Sequence, residues 1–248
     1  MKEITQKWLI FVFLMCFILF VANIRNVKAD VYLLGDSWLA DTYNPNAVNE
    51  ISYHTGEVVH PLAVNSMPSA TLANDVDNYW IPEDSTVIID IGLPDFFNGV
   101  SQADVLRNMI TVVDYLASIN AKILLSCPAN GNSKADLLDK ANRGVLLPSD
   151  GLCNKLKVRQ PGHVRTVDLQ SRLMAIKDFN YSVNDPVHLN SLGYTVFNIG
   201  IANAVNRMNG DCNVIDNQDL RNTIAGLKQT TPEQICTGLE IVENIWIR

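Results

Sequence analysis

The chain has no surplus of positive charge, no glycine-rich phosphate loop, no metal-ligand spacing and no internal repeat. Each gap argues against a class of function. Lys and Arg number 19 against 26 Asp and Glu, for a net charge of −7. There is no basic aromatic stretch either, so the sequence lacks the electrostatic footprint of a nucleic-acid binder. No G-x-G-x-x-G or P-loop opens a helix after the first strand-like run, which argues against a phosphate-binding α/β protein. The five cysteines fit no zinc spacing, and no histidine pair stands near them.

What is present begins with a leader. Lys2 and Lys7 give a positive start, and Trp8 to Ile24 is almost unbroken hydrophobe. Val27-Lys28-Ala29 places small side chains at the −3 and −1 positions of a cleavage site before Asp30. The expectation is a signal peptide over 1–29 and an exported product, periplasmic or secreted. An uncleaved anchor is the alternative, since the apolar stretch is just short of the about 20 residues of a spanning helix. Membrane contact would then run through the leader alone. Cys16 follows Met15 rather than the small residue a lipoprotein site needs. Cleavage removes four cationic residues and one anionic one, leaving a mature net charge of about −10.

The roughly 220 residues left suit one α/β domain with a single sizeable core. They keep four cysteines, Cys127, Cys153, Cys212 and Cys236. An even number in an exported chain suggests disulfides. Cys127–Cys153 and Cys212–Cys236 are favoured among three possible pairings, because each pair brackets a loop-rich stretch. Four buried thiols are the alternative.

Strand and helix signals alternate. Val31–Leu34 reads as a first strand, and Val58–Val64 as a second, at an edge because of Pro61. Thr86–Ile91 (Thr-Val-Ile-Ile-Asp-Ile) is a run β-branched at every position but Asp90 and reads as a strand buried on both faces. Ser101 caps a helix with Asp104 three residues on, and Val105, Leu106, Met109, Ile110, Val113 and Leu116 form its core stripe. Ala121–Cys127 and Val164–Leu169 complete five strands. Residues 130–162 form a Gly-, Asn- and Pro-rich insert with a short helix near Ala135–Ala141. It is a candidate lid or a plain surface excursion. The last core helix runs from Ser191 to Met208 behind an Asn190 cap. Residues 209–248 read as a small helical extension on the same domain, with no chemistry of their own.

This alternation predicts a three-layer, flavodoxin-like α/β sandwich around a parallel five-stranded sheet. Ligands in such folds sit beyond the carboxyl ends of the strands. Gly35-Asp36-Ser37-Trp38 follows the first strand there, and Asp185-Pro186-Val187-His188 follows the fifth. Ser37 would be a nucleophile if a base took its proton. His188 suits that role near neutral pH, and Asp185 would fix its tautomer.

On these residues, with Leu189-Asn190 and Gly193-Tyr194 behind the histidine, the chain resembles the GDSL/SGNH hydrolases over residues 30–208. The resemblance implies an ester hydrolase needing no metal or cofactor, acting on acyl lipid, short-chain acyl or acetylated carbohydrate esters. Two blocks depart from the family. Where it shows Gly-x-Asn-Asp, this chain has Gly92-Leu93-Pro94-Asp95. Proline supplies neither an amide side chain nor an N–H, so one oxyanion donor is gone, a loss of about 10² to 10³ in rate. Asn98 is the nearby substitute. Where the family carries an oxyanion glycine, Asn65-Ser66-Met67-Pro68-Ser69-Ala70-Thr71 stands, with Ala70 as the nearest equivalent and Ser66 and Ser69 as possible hydroxyl donors. The N–H of Ser37 is the remaining donor.

Trp38 reads either as a pocket wall or as core, and so do Phe96 and Phe97. His54, His60 and His163 read as packed or exposed. A second function stays open beside the enzyme: an inactive module on the same scaffold that binds an envelope glycan or lipid.

Overall fold

The structure, a computed structural model, describes residues 29–126, 152–167 and 188–209. The leader, the predicted helix at 135–141 and the C-terminal extension lie outside the described residues. So do Cys127, Cys212, Cys236 and Asp185.

Five strands form one sheet: β1 (Val31–Gly35), β2 (Val59–Pro61), β3 (Thr86–Asp90), β4 (Lys122–Ser126) and β5 (Val164–Val167). Their order is β2-β1-β3-β4-β5 and every pairing is parallel. Among the described residues six helices connect or flank them: α1 (Ala47–Thr55), α2 (Ser69–Asp75), α3 (Leu93–Phe97), α4 (Gln102–Ser118), α5 (Leu152–Arg159) and α6 (Ser191–Met208).

The central strands β1, β3 and β4 are mainly apolar because both their faces are covered. Val31 and Leu33 of β1, Ile88 of β3 and Leu124 of β4 point into one cluster, with Ile51 of α1 and Phe197 and Ile201 of α6. The alternate residues, Tyr32 and Leu34, Val87 and Ile89, Ile123 and Leu125, face a second cluster with Leu72 of α2, Met109 and Val113 of α4 and Leu156 of α5. This two-residue alternation makes three layers. Each fully buried aliphatic side chain contributes about 1.5–3 kcal/mol.

The sequence reading of the elements holds in most places. Ser101 caps α4 by accepting the Asp104 N–H, and Asn190 caps α6 by accepting the Gly193 N–H. Pro61 does sit on the edge strand. Beyond it the chain keeps following β1, with Leu62 N–H donating to Leu33 O and Val64 N–H to Gly35 O. Helices α1, α2, α3 and α5 were not anticipated. The α1 stop was legible: Gly56 ends it in the left-handed region, at φ +69°. Helix α5 occupies the end of the expected insert, where Cys153 packs against the second cluster.

One glycine is obligatory. Gly35 has φ +118°, and a Cβ there would lie 1.8 Å from the Asp90 carbonyl oxygen. That oxygen accepts the Asp36 N–H at 2.8 Å, so backbone fills the space a side chain would need. Gly35→Ala is expected to cost about 3 kcal/mol or more. A denaturant midpoint equal to that of the wild type would contradict this close approach.

Candidate active site

Ser37 stands one residue past this contact, on a turn at the carboxyl end of β1. The turn is wound tightly: Leu39 and Ala40 N–H groups both donate to the Asp36 carbonyl. The side chain cannot wander, because Trp38 behind it is fully buried with its ring edge-on to Tyr194 and Phe197 of α6. Of its two expected roles, Trp38 therefore takes the core one and does not line the cavity. An indole flanked by apolar rings at this depth has no open face for a ligand.

His188 arrives from the other end of the chain, two residues before the α6 cap. Its Nε2 lies 2.7 Å from Ser37 Oγ, across 151 residues of sequence, and both side chains are buried. The face of its ring lies against Tyr43, with centroids 3.5 Å apart and planes 6° from parallel.

A polar network centred on two buried asparagines joins the two segments. Asn44 Nδ2 donates to the Trp38 carbonyl at 3.0 Å and to Asn198 Oδ1 at 2.8 Å. Asn198 Nδ2 donates back to Asn44 Oδ1 at 2.9 Å and to Glu50 at 2.7 Å, while the Thr195 hydroxyl donates to the same carboxylate. The amide pair thus clamps α6 to the chain just after the serine.

A cavity of about 300 Å³ opens above Ser37 and His188, and Tyr43 also lines it. Leu93, Pro94 and Phe97 form an apolar side; Asn65, Ser66 and Asn98 supply polar groups. Asn98 therefore shares the cavity with the serine. Phe97 is wall, half-exposed. Ala70 is not at the cavity: it lies exposed on α2. The residue with the backbone geometry that glycine favours is Ser66, at φ +60°. Sequence spacing pointed past it because a serine carries no sign of a left-handed angle. Ser69 is spent elsewhere, donating its N–H and hydroxyl to Asp95 at 2.8 and 2.7 Å.

The other histidines are structural. His60 stacks on Tyr32 and its Nε2 lies 2.9 Å from the Asp30 carboxylate. His163 Nδ1 lies 3.0 Å from the Ala121 carbonyl. Burial pushes His54 below its ordinary value against the opposing charge of Glu50. Among the described residues no group of three His, Cys, Asp or Glu side chains is placed to hold a metal ion. None of their helices is long and apolar enough to cross a membrane.

No family model and no curated protein matches the sequence. Solved structures do. An acetyl xylan esterase superimposes with a TM-score of 0.56 at 16% identity, over 71% of this chain and 99% of its own. A psychrotrophic esterase from a Pseudoalteromonas species, inhibited by monoethylphosphonate, gives 0.56 at 14%, over 74% and 100%. A lipolytic protein of the G-D-S-L family from Veillonella parvula gives 0.55 at 16%, over 69% and 96%. The chain has the GDSL/SGNH hydrolase fold. In this chain the Gly-Asp-Ser turn follows the first strand, and its aspartate is fully buried.

Asp36 is fully buried, with Oδ1 accepting the Trp38 N–H at 3.3 Å. Burial first, and the nearby Asp90 carboxylate second, push its carboxyl well above the ordinary range. The folded chain therefore holds a proton that the unfolded chain releases above about pH 4. Stability from this group is complete below about pH 4 and is lost as pH rises toward the raised value. Asp36→Asn keeps the shape without the charge. Its melting temperature relative to wild type is expected to climb between about pH 4 and pH 8. A difference that stays constant with pH would contradict a raised Asp36.

Proposed function

We propose that the protein is an exported serine ester hydrolase that transfers an acyl group to Ser37 and then to water. The observation that carries this reading is the 2.7 Å contact between His188 Nε2 and Ser37 Oγ at the floor of the cavity. The leader supports export, and the esterase neighbours support the reaction class.

The mechanism follows from the atoms. Ser37 Oγ gives its proton to His188 Nε2 as it attacks the ester carbonyl. Asp185, three residues before the histidine, is assigned the other ring N–H, fixing the tautomer and stabilising the imidazolium. The proton then passes to the departing alcohol, and water repeats the sequence on the acyl-enzyme. The developing oxyanion is assigned to the N–H groups of Ser37 and Ser66 and to the carboxamide of Asn98, which replaces the donor lost at Pro94.

The cavity favours small acyl groups. About 300 Å³ is the lower end of ligand-pocket sizes. Its described lining has two asparagines and two serines but no Lys or Arg. A short-chain ester of a neutral, polar alcohol, such as an acetylated sugar, matches that lining better than a long-chain or anionic lipid. Pro94 also favours a second reading, a module that binds such an ester without cleaving it.

Turnover of p-nitrophenyl acetate separates the two. Ser37→Ala is expected to abolish it, and the laurate ester to react at least about tenfold more slowly than the acetate, matching a pocket of this size. Asn98→Ala is expected to lower kcat by about 10²-fold with little change in KM. Wild-type turnover no higher than that of Ser37→Ala, with glycan-ester binding intact in both, would replace the enzyme by the binding module. An unchanged kcat in Asn98→Ala would remove Asn98 from the oxyanion site.

A further inference from the structure

We propose that Tyr43 is a positioning residue for the catalytic base, holding the His188 ring in line with Ser37 and stabilising the charge it gains. This rests on the hydrolase reading above. It adds a residue that neither the serine motif nor the histidine motif contains.

The need for such a residue is geometric. The last torsion of a histidine side chain joins a tetrahedral carbon to a planar ring, so its energy well is broad. Hydrogen bonds at the ring nitrogens tolerate small departures from linearity, so they resist rocking about that torsion only weakly, and rocking carries the lone pair off the hydroxyl. A second plane in contact removes this freedom. Tyr43 supplies it: the ring centroids are 3.5 Å apart and the planes differ by 6°. Any rocking of the imidazole drives one of its edges into the phenol ring.

The phenol is itself held at its backbone. Tyr43 N–H donates to the Ala40 carbonyl in the nucleophile turn. The next residue, Asn44, is fully buried in the amide pair with Asn198. One short segment therefore carries the serine, the stacking ring and the clamp on α6. Serine, stack and histidine are set by one local structure rather than by three independent loops.

Charge gives the stack a further role. The face of an aromatic ring is electron-rich and attracts a cation. His188 gains a positive charge as it takes the Ser37 proton, so the attraction strengthens toward the transition state, where it raises kcat. Tyr43 is also 37% exposed and lines the cavity, unlike a residue placed for core packing. Its phenol ring screens the buried imidazole from that side.

The experiment compares full-length wild type with Tyr43→Phe, Tyr43→Leu, Tyr43→Met and Ser37→Ala, using p-nitrophenyl acetate. Tyr43→Phe keeps the ring and is expected to stay within about twofold of wild type. Tyr43→Leu and Tyr43→Met lose it, and kcat is expected to fall about 3- to 30-fold with KM nearly unchanged. Proton NMR gives a readout independent of turnover. The His188 ring C–H signals of wild type are expected to be shifted upfield by the phenol, to stay there in Tyr43→Phe and to lose the shift in the two aliphatic variants. Wild-type kcat in both aliphatic variants, with Ser37→Ala inactive, would overturn the role of Tyr43 and leave the hydrolase reading standing. So would a fall matched by Tyr43→Phe, or a wild-type His188 signal with no ring-current shift. If wild type shows no turnover above Ser37→Ala, the hydrolase reading fails and this proposal falls with it.

Discussion

At Gly35 the first strand passes so close to the third that a carbonyl oxygen occupies the place of a side chain. The rest of the site is arranged around that approach. It fixes where β1 ends, and so fixes the direction in which the next two residues leave the sheet. Asp36 is turned inward beside Asp90, and Ser37 is turned up to the cavity floor. A side chain at Gly35 would push β1 away from β3 and move Ser37 with it. A parallel sheet covered on both faces transmits such a shift rather than absorbing it.

The second constraint is the clamp between the two ends of the domain. A serine near the start of the fold and a histidine 151 residues later meet only because α6 lies against α1 and the turn that carries Ser37. Apolar packing around Trp38, Phe197 and Ile51 supplies most of the attraction, but it is not directional. Direction comes from the buried amides of Asn44 and Asn198 with the half-buried Glu50 and Thr195, whose bonds can be satisfied in one register only. Slipping α6 by one residue would strand several of them without partners in the interior, at about 1–3 kcal/mol each.

Much of this was legible in the sequence because it depends on short-range rules. The β-branched run 86–91, the Ser101 and Asn190 caps and Pro61 at an edge each carry their own local signal. The pairing of Ser37 with His188 was legible for another reason: strand–helix alternation sends both segments to the same end of the sheet. What escaped lies in tertiary geometry. Ala70 looked like the counterpart of a glycine by counting along the loop, yet the left-handed angle falls on Ser66, and no residue-type rule singles out a serine for it. Trp38 could have faced either way, and the rings of Tyr194 and Phe197 decide for the core. Tyr43 carried no signal at all, since its partner is 145 residues away.

In the proposed hydrolase Ser37 is an activated nucleophile and His188 is the group that activates it. Reaction of the folded protein with a fluorophosphonate, followed by peptide mass mapping, tests this most directly. A single phosphonylated residue, Ser37, is expected, with labelling greatly slowed in His188→Ala while the variant stays folded. An unlabelled Ser37 in folded wild type, or labelling equally fast without the imidazole, would contradict it.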